Sequence, residues 1–337
     1  MKMSRDKNVI EIVNFFGYSI EDYNNNEKVI LKELCEYRDY LTKNISKNIN
    51  LVDQEIYKTW IRSNIRYSKL SVKLIKMFVK RISDSESKLK KFYTTLPYVL
   101  IHFPEDSLEV GTIHSDNYRF EEMYTCWTPI NTNITQYSPI SIFIKTNNYL
   151  TFISATLLLK LIKNTKLQKF LLNIFGKKEK ELIAIPGKYY IWDGKTLHIG
   201  NLNTSNQIHT AMTYRITKNK NPYEPSVRID RINDLNEIDF FNEKEFLNLL
   251  FQIHKKYQDS IIVLTNNISC IELINKISKE YKDLNEEIKK RLSFAFSLLG
   301  QRLDKIDKNY SLVLHCLSLA FGSENMNSKR VLDKNFK

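Results

Sequence analysis

Residues 92–234 constrain the fold more than any other stretch, because their sequence pattern is typical of strands. Short runs rich in Tyr, Thr, Ile and Val are interrupted there by Pro, Gly, Asn and Asp. Such runs predict strands, and we place them at residues 96–103, 109–114, 123–130, 140–144, 188–192, 208–216 and 227–229. Short strands at this spacing favour a double-sheet jelly roll over a parallel fold.

The sequence on both sides of this region predicts helices. Neither Gly nor Pro falls between Gly17 and Pro97, and apolar residues recur at helical spacing in residues 7–91 and again in residues 239–321. The predicted fold class is α+β: a double-stranded β-helix (jelly roll) core at 92–234, an N-terminal helical layer at 1–91 and a C-terminal helical region at 235–325. Residues 326–337 are polar and basic, and we expect them to form a disordered tail.

One segment inside the β region departs from the strand texture. Residues 150–180 mix leucine-rich runs with lysines and predict a basic, amphipathic helical insertion. An extra helix packed on the roll is the simplest interpretation. A lid over a site, or a helix that contacts a membrane surface or a partner, stays open. The sequence also leaves open whether the helical regions form a homodimer interface.

Composition limits the partners and the compartment. The net charge of the 337 residues is +13, but the lysines are dispersed and form no compact basic tract, so we expect no nucleic-acid partner. An anionic small-molecule substrate or a position near a membrane surface fits this charge equally well. Four cysteines without zinc spacing indicate a reducing compartment. Because we find neither a signal peptide nor an apolar run of about 18 residues, we expect a cytoplasmic protein without a transmembrane segment.

Two short stretches carry candidate metal ligands. His114 and Asp116 lie two residues apart in a region of strand texture, and side chains two apart on a strand point to the same face. His198 would come from a later strand that folds back beside the first. Non-haem Fe(II) oxygenases bind their metal with two histidines and one carboxylate, and the remaining coordination positions stay open.

The surroundings of these residues strengthen that interpretation. Pro104 precedes them, and the further motifs are Ile113-His114-Ser115-Asp116, Trp127-Thr128-Pro129-Ile130, Ser138-Pro139-Ile140, Pro186-Gly187, Trp192-Asp193-Gly194, His198 and Asn203-Thr204-Ser205. Residues 98–215 with these motifs resemble the phytanoyl-CoA-hydroxylase-like branch of the Fe(II)/2-oxoglutarate dioxygenases, of the kind found in bacterial carbohydrate and antibiotic gene clusters.

The resemblance implies a specific activity. His114, Asp116 and His198 would bind Fe(II), with 2-oxoglutarate and O2 as cosubstrates. The enzyme would hydroxylate or otherwise oxidise a small polar metabolite, and a sugar or nucleotide-linked sugar is the leading candidate. Trp127 is expected to pack between the two sheets.

The chain departs from the family at one position. Relatives place an Arg about eleven residues after the second histidine, where its planar fork binds the distal carboxylate of 2-oxoglutarate. Here that residue is His209. Arg215 lies six residues further along the same predicted strand, an even step that keeps it on the same face. We favour Arg215 for this salt bridge, with His209 as a weaker substitute, and Thr204 as a hydroxyl donor to the same pocket.

Two other functions compete with the oxygenase. One is a cupin-like metal enzyme without 2-oxoglutarate, such as an isomerase, which His209 in the place of the family's Arg supports. The other is a non-catalytic jelly-roll binding protein. GxGxxG, GxxxxGK[ST] and GxSxG motifs are absent from the sequence, which argues against dinucleotide, nucleoside triphosphate and hydrolase sites.

Overall fold

A computed structural model describes residues 9–43, 45, 51–104, 113–116, 122–131, 139–143, 159, 162, 164–174, 177–220, 226–235, 243–258, 264, 267–304 and 306–336. Its helices are α1 (Val9–Phe16), α2 (Asn25–Thr42), α3 (Leu51–Arg66), α4 (Lys69–Ser85), α5 (Thr165–Ile174), α6 (Glu243–Gln258), α7 (Asn267–Glu280), α8 (Glu286–Leu303), α9 (Lys308–Phe321) and α10 (Met326–Asn335). Its strands are β1 (Tyr18–Asp22), β2 (Tyr93–Thr95), β3 (Tyr98–His102), β4 (Met123–Pro129), β5 (Ile140–Phe143), β6 (Glu179–Leu182), β7 (Lys188–Asp193), β8 (His198–Gly200), β9 (His209–Thr217) and β10 (Ser226–Arg228).

The chain forms two compact units, each built from two stretches of sequence. The first unit comprises Met1–Lys43 and Leu70–Asn236, and the second comprises Asn44–Lys69 and Glu237–Lys337. The strands named above all belong to the first unit, so the protein combines helices with antiparallel sheets.

The first unit contains two antiparallel sheets. The larger one has seven strands in the order β1-β7-β4-β9-β2-β10, and β3 also pairs with β9. The smaller one has the order β6-β5-β8. Ile140 and Ile142 of the small sheet pack against Trp127 and Tyr190 of the large sheet in one buried cluster. Trp127 therefore lies between the two sheets, which confirms its predicted place.

The other face of the large sheet is covered by helices. Phe78 of α4 contacts the rings of Tyr189 on β7 and Tyr214 on β9, with centroids 4.5 and 5.7 Å apart. A salt bridge of 2.9 Å between Arg81 and the fully buried Glu27 joins α4 to α2. Helix α4, with α2 joined to it, therefore lies on this face of the sheet, whereas α3 belongs to the second unit.

Most of the predicted strands are present. Those predicted at 96–103, 123–130, 140–144, 188–192, 208–216 and 227–229 correspond to β3, β4, β5, β7, β9 and β10. The prediction at 109–114 falls largely on residues that the structure does not describe. Four of the described strands lie outside the predicted ranges. β1 lies within the predicted helical layer, β6 overlaps the predicted helical insertion, and β2 has only three residues; β8, also three residues long, is the later strand that was expected to carry His198.

The second unit is helical. His254 lies 2.6 Å from the hydroxyl of Tyr310, and Nδ1 of His315 lies 3.0 Å from the hydroxyl of Ser328, so both buried histidines have polar partners. The predicted disordered tail was wrong, because α10 occupies most of it. The Asn325 side chain caps this helix by accepting a hydrogen bond from the backbone N–H of Ser328, and Leu332 is buried.

No helix in the described part of the chain has the length and hydropathy that a bilayer crossing needs.

Candidate metal centre

Backbone pairing brings the two predicted histidine ligands side by side. His114 and His198 form an antiparallel bridge, in which each backbone N–H donates to the other's carbonyl at 3.0 and 2.8 Å. Directly opposed residues in an antiparallel pair project their side chains to the same side. The two imidazole centroids accordingly lie 4.4 Å apart. The later strand therefore folds back beside the first histidine, as the sequence predicted.

Asp116 completes the cluster. One ligand atom from each of His114, Asp116 and His198 lies within 4.8 Å of the other two, and His198 Nε2 lies 3.8 Å from Asp116 Oδ2. Among the residues that the structure describes, this is the group of histidine, cysteine and acidic side chains whose geometry suits a metal ion.

Two residues of the large sheet hold the Asp116 carboxylate. The Thr125 hydroxyl donates to Oδ2 at 2.7 Å, and Arg215 Nη2 donates to Oδ1 at 3.0 Å. Burial alone would raise the pKa of Asp116, but His198, Arg215 and the hydrogen bond from Thr125 hold that pKa well below its usual range. The carboxylate is therefore ionised at neutral pH, which is the form that binds a metal.

His198 is held in the complementary state. Burial lowers its pKa, although the nearby Asp116 opposes the shift, so the imidazole is neutral at pH 7. Its Nδ1 lies 3.1 Å from the carbonyl oxygen of Thr196. A proton on Nδ1 satisfies that carbonyl and leaves the Nε2 lone pair directed to the cluster. The ring also contacts Trp192 at a centroid distance of 5.4 Å, which limits its rotation.

These residues fit a divalent transition metal. Two imidazoles and one ionised carboxylate are a suitable donor set for Fe(II), and a backbone carbonyl fixes the orientation of one histidine as in many metal sites. Three protein ligands also leave coordination positions for small molecules.

The residues predicted to bind 2-oxoglutarate lie in different places. Arg215 is at the cluster, on Asp116. His209, at the start of the same strand, lines a pocket in the first unit with His102, Trp127 and Asn131. Thr204 is exposed on the turn before that strand, and its neighbour Ser205 is the residue that contacts His209 Nε2, at 2.9 Å.

The pocket around His209 has both polar and apolar lining residues. Asn131 lies 3.5 Å from His209 Nδ1, and burial, with smaller contributions from Arg38 and His102, lowers the pKa of His209 to about 4. The imidazole is therefore neutral at pH 7. Trp127 lines the same pocket, and its buried indole N–H has no hydrogen-bond acceptor among the described residues.

Sequence reasoning missed Thr125. On a strand, residues two apart share a face, so Thr125 lies on the same side of β4 as Trp127, which was expected between the sheets. Thr125 is also the register partner of Arg215 on β9. The alternation therefore contained the signal that Thr125 faces the interior, but not that it contacts Asp116. Tyr214, the residue before Arg215, lies on the helix-covered face beside Phe78.

Comparisons with known proteins give no sequence relative: no family model and no curated protein matches the chain. Among solved structures, the chain is similar to the non-heme alpha-ketoglutarate-dependent carbocyclase SnoK from nogalamycin biosynthesis (13% identity, 71% of this chain and 94% of that chain, TM-score 0.40). It is also similar to AviO1 from Streptomyces viridochromogenes Tue57 (8% identity, 64% and 95%, TM-score 0.37) and to a Pseudomonas putida prolyl-4-hydroxylase (8% identity, 63% and 93%, TM-score 0.34).

Proposed function

We propose that this protein is an Fe(II)- and 2-oxoglutarate-dependent oxygenase that oxidises a small polar metabolite, built on a jelly-roll core formed by the two sheets of the first unit. The observation that carries the proposal is the convergence of His114, Asp116 and His198 within 4.8 Å. Convergence of this donor set matches the two-histidine, one-carboxylate sites of non-haem iron oxygenases.

In this proposal the three ligands hold the iron, and other residues hold the ligands. When bound, Fe(II) with 2-oxoglutarate and O2 supplies the oxidising chemistry that no amino-acid side chain can provide. Thr125 and Arg215 keep the Asp116 carboxylate ionised and oriented, and Thr196 keeps His198 in the tautomer with a free Nε2 lone pair. The Trp192 ring packs beside His198.

Arg215 and the His209 pocket are the two candidates for the distal carboxylate of 2-oxoglutarate. A guanidinium carries five N–H donors, so contact with Asp116 is compatible with a second anion. We keep Arg215 as the favoured residue. The pocket is the alternative, because the indole N–H of Trp127 is a donor without the charge of the usual Arg, and the neutral ring of His209 lines the same pocket. Thr204, exposed on its turn, would need a movement of that turn to contribute.

A sugar or nucleotide-linked sugar is the proposed substrate, and this assignment rests on the sequence resemblance. Hydroxylation is the proposed outcome for the same reason. A cytoplasmic location and a homodimer formed through helical regions likewise stay predictions from the sequence.

The test is the spectrum of the protein with its proposed cofactors. Anaerobic addition of Fe(II) and 2-oxoglutarate should produce a weak visible charge-transfer band, and oxygen should then allow slow succinate formation without substrate. Asp116→Ala should remove iron retention, because it leaves two neutral ligands for a divalent ion. Full iron occupancy in that variant would disprove the ligand set.

A cupin-like isomerase is the second candidate function. It is favoured by His209 at the position of the family's Arg and by the contacts of that ring with Ser205 and Asn131, which hold it as part of the pocket wall. An isomerase of this kind would bind metal as tightly but give neither the charge-transfer band nor succinate. If the protein binds metal but gives neither the charge-transfer band nor succinate, the isomerase replaces the oxygenase as the proposed function.

A further inference from the structure

Helix α5 presents an apolar stripe to solvent. Leu167, Phe170 and Ile174 are 45%, 61% and 62% exposed. Residues three and four apart are neighbours on a helix surface, so these three side chains form one continuous line. A single exposed apolar residue is ordinary, but three large ones in line on a ten-residue helix form a patch of the kind that marks interaction surfaces.

The opposite side of α5 is anchored, which fixes the direction of the stripe. Leu172 is buried in a cluster with Phe143 and Ile199 of the small sheet. The buried Gln168 donates to the carbonyl oxygens of Leu159 and Ile162 at 3.0 and 2.7 Å. Because these contacts use the inner face of the helix, the line from Leu167 to Ile174 faces away from the protein core.

Positive charge lies next to the stripe. Lys166 precedes Phe170 by four residues and is therefore its neighbour on the helix surface. Lys169 occupies the flank and forms a 2.6 Å salt bridge with Glu179, while Lys178 and Lys180 are exposed just after the helix. Residues 164–180 contain five lysines, of which Lys177 is buried, and one acidic residue, Glu179. The surface that covers the stripe must therefore be anionic as well as apolar.

We propose that α5 docks on an anionic lipid bilayer. Its apolar stripe would enter the boundary between headgroups and acyl chains, and the lysines beside it would contact lipid phosphates. A second copy of this chain suits the surface poorly, because a two-fold contact would place the same lysines opposite each other on a protein of net charge +13. This inference is independent of the metal centre.

Vesicle flotation tests the proposal with the full-length protein. The probes are vesicles of phosphatidylcholine alone and of phosphatidylcholine with about one third phosphatidylglycerol, at an ionic strength near 0.1 M where surface charges still act. We expect binding to the anionic vesicles at least fivefold above binding to the neutral ones. The double variant Phe170→Ser/Ile174→Ser should lose most of this binding.

The matched control is Ile268→Ser/Ile271→Ser on α7, which removes two isoleucines that are 66% and 56% exposed in the second unit. This control should bind anionic vesicles like the wild type, and thermal unfolding should show that both double variants are folded. The proposal fails if the wild type does not bind anionic vesicles, or if both double variants bind equally. It also fails if light scattering shows a wild-type dimer that only Phe170→Ser/Ile174→Ser dissociates, because a second copy would then cover the stripe.

Discussion

Replacement of Arg215 by Leu measures what this guanidinium contributes. Arg215 Nη2 lies 3.0 Å from Asp116 Oδ1, and 36% of the Arg215 side chain is exposed. A hydrogen bond to a charged group contributes about 1.5–3 kcal/mol. Screening by solvent at a side chain exposed to this degree lowers the contribution to roughly 1–2 kcal/mol.

The variant should affect the cosubstrate more than the metal. If the same guanidinium binds the distal carboxylate of 2-oxoglutarate, a loss of about 1.4 kcal/mol raises its KM about tenfold. Two effects on the metal oppose each other: Asp116 loses a hydrogen bond that orients it, and the metal cation loses a positive neighbour that repels it. We therefore expect the Kd for Fe(II) to change by less than roughly threefold.

The assay separates the two effects. KM is measured from succinate formation at saturating Fe(II), and Kd from anaerobic titration calorimetry of the protein with Fe(II). Arg228→Leu is the control, because Arg228, the last residue of β10, forms an exposed ion pair with Asp230 and has no contact with Asp116 among those described. An unchanged KM in Arg215→Leu would refute the cosubstrate role and shift it to the His209 pocket. A large loss of Fe(II) affinity would show that orientation of Asp116 outweighs charge repulsion.

Three further changes test other parts of the structure. Thr125→Val removes the 2.7 Å hydrogen bond to Asp116 without changing side-chain size, and the Fe(II) affinity measured by calorimetry should fall by roughly tenfold. An affinity equal to that of the wild type would show that Thr125 does not orient Asp116 for the metal. Gly300→Ala places a methyl group 2.9 Å from the ring of the buried His315, so the free energy of unfolding in denaturant should fall by about 1–3 kcal/mol. An unchanged unfolding midpoint would mean that the ring moves aside. The pKa of His209 is lowered to about 4 in the folded chain, so protons bind preferentially to the unfolded chain. The free energy of unfolding should therefore fall as the pH decreases from about 6.5 to 4. His209→Gln should make that fall shallower, and a pH profile identical to that of the wild type would contradict the lowered pKa.

Local patterns in the sequence predicted much of the fold. Helical spacing identified helices of both units, with the C-terminal one as an exception, and alternation with turn residues located six of the ten described strands. The missed strands had too little local signal. β2 has three residues, and β1 lies directly after α1 in a stretch of helical composition, where pairing with β7 decides its structure. Tertiary contacts of this kind override local propensity.

The C-terminal helix was missed for a related reason. Its composition is polar and we recognised no apolar stripe at helical spacing, so the sequence indicated a disordered tail. In the structure Asn325 caps the helix and Ser328 contacts His315 of α9. The cap is a local contact within three residues, whereas the contact with His315 depends on the neighbouring helix α9.

The metal centre shows where prediction from strand geometry ends. The two-residue alternation placed His114 and Asp116 together and placed Arg215 on the same face of its strand as His209, because side-chain direction depends only on whether the step is even. Alternation does not give position along the strand. The register of the strand pairs gives it. Arg215 lies opposite Thr125, and both contact Asp116. His209, six residues before Arg215 on β9, pairs with His102. The two candidate anion-binding residues therefore lie at different positions along β9, and in the proposed oxygenase a cosubstrate held at the metal could reach them only in different poses.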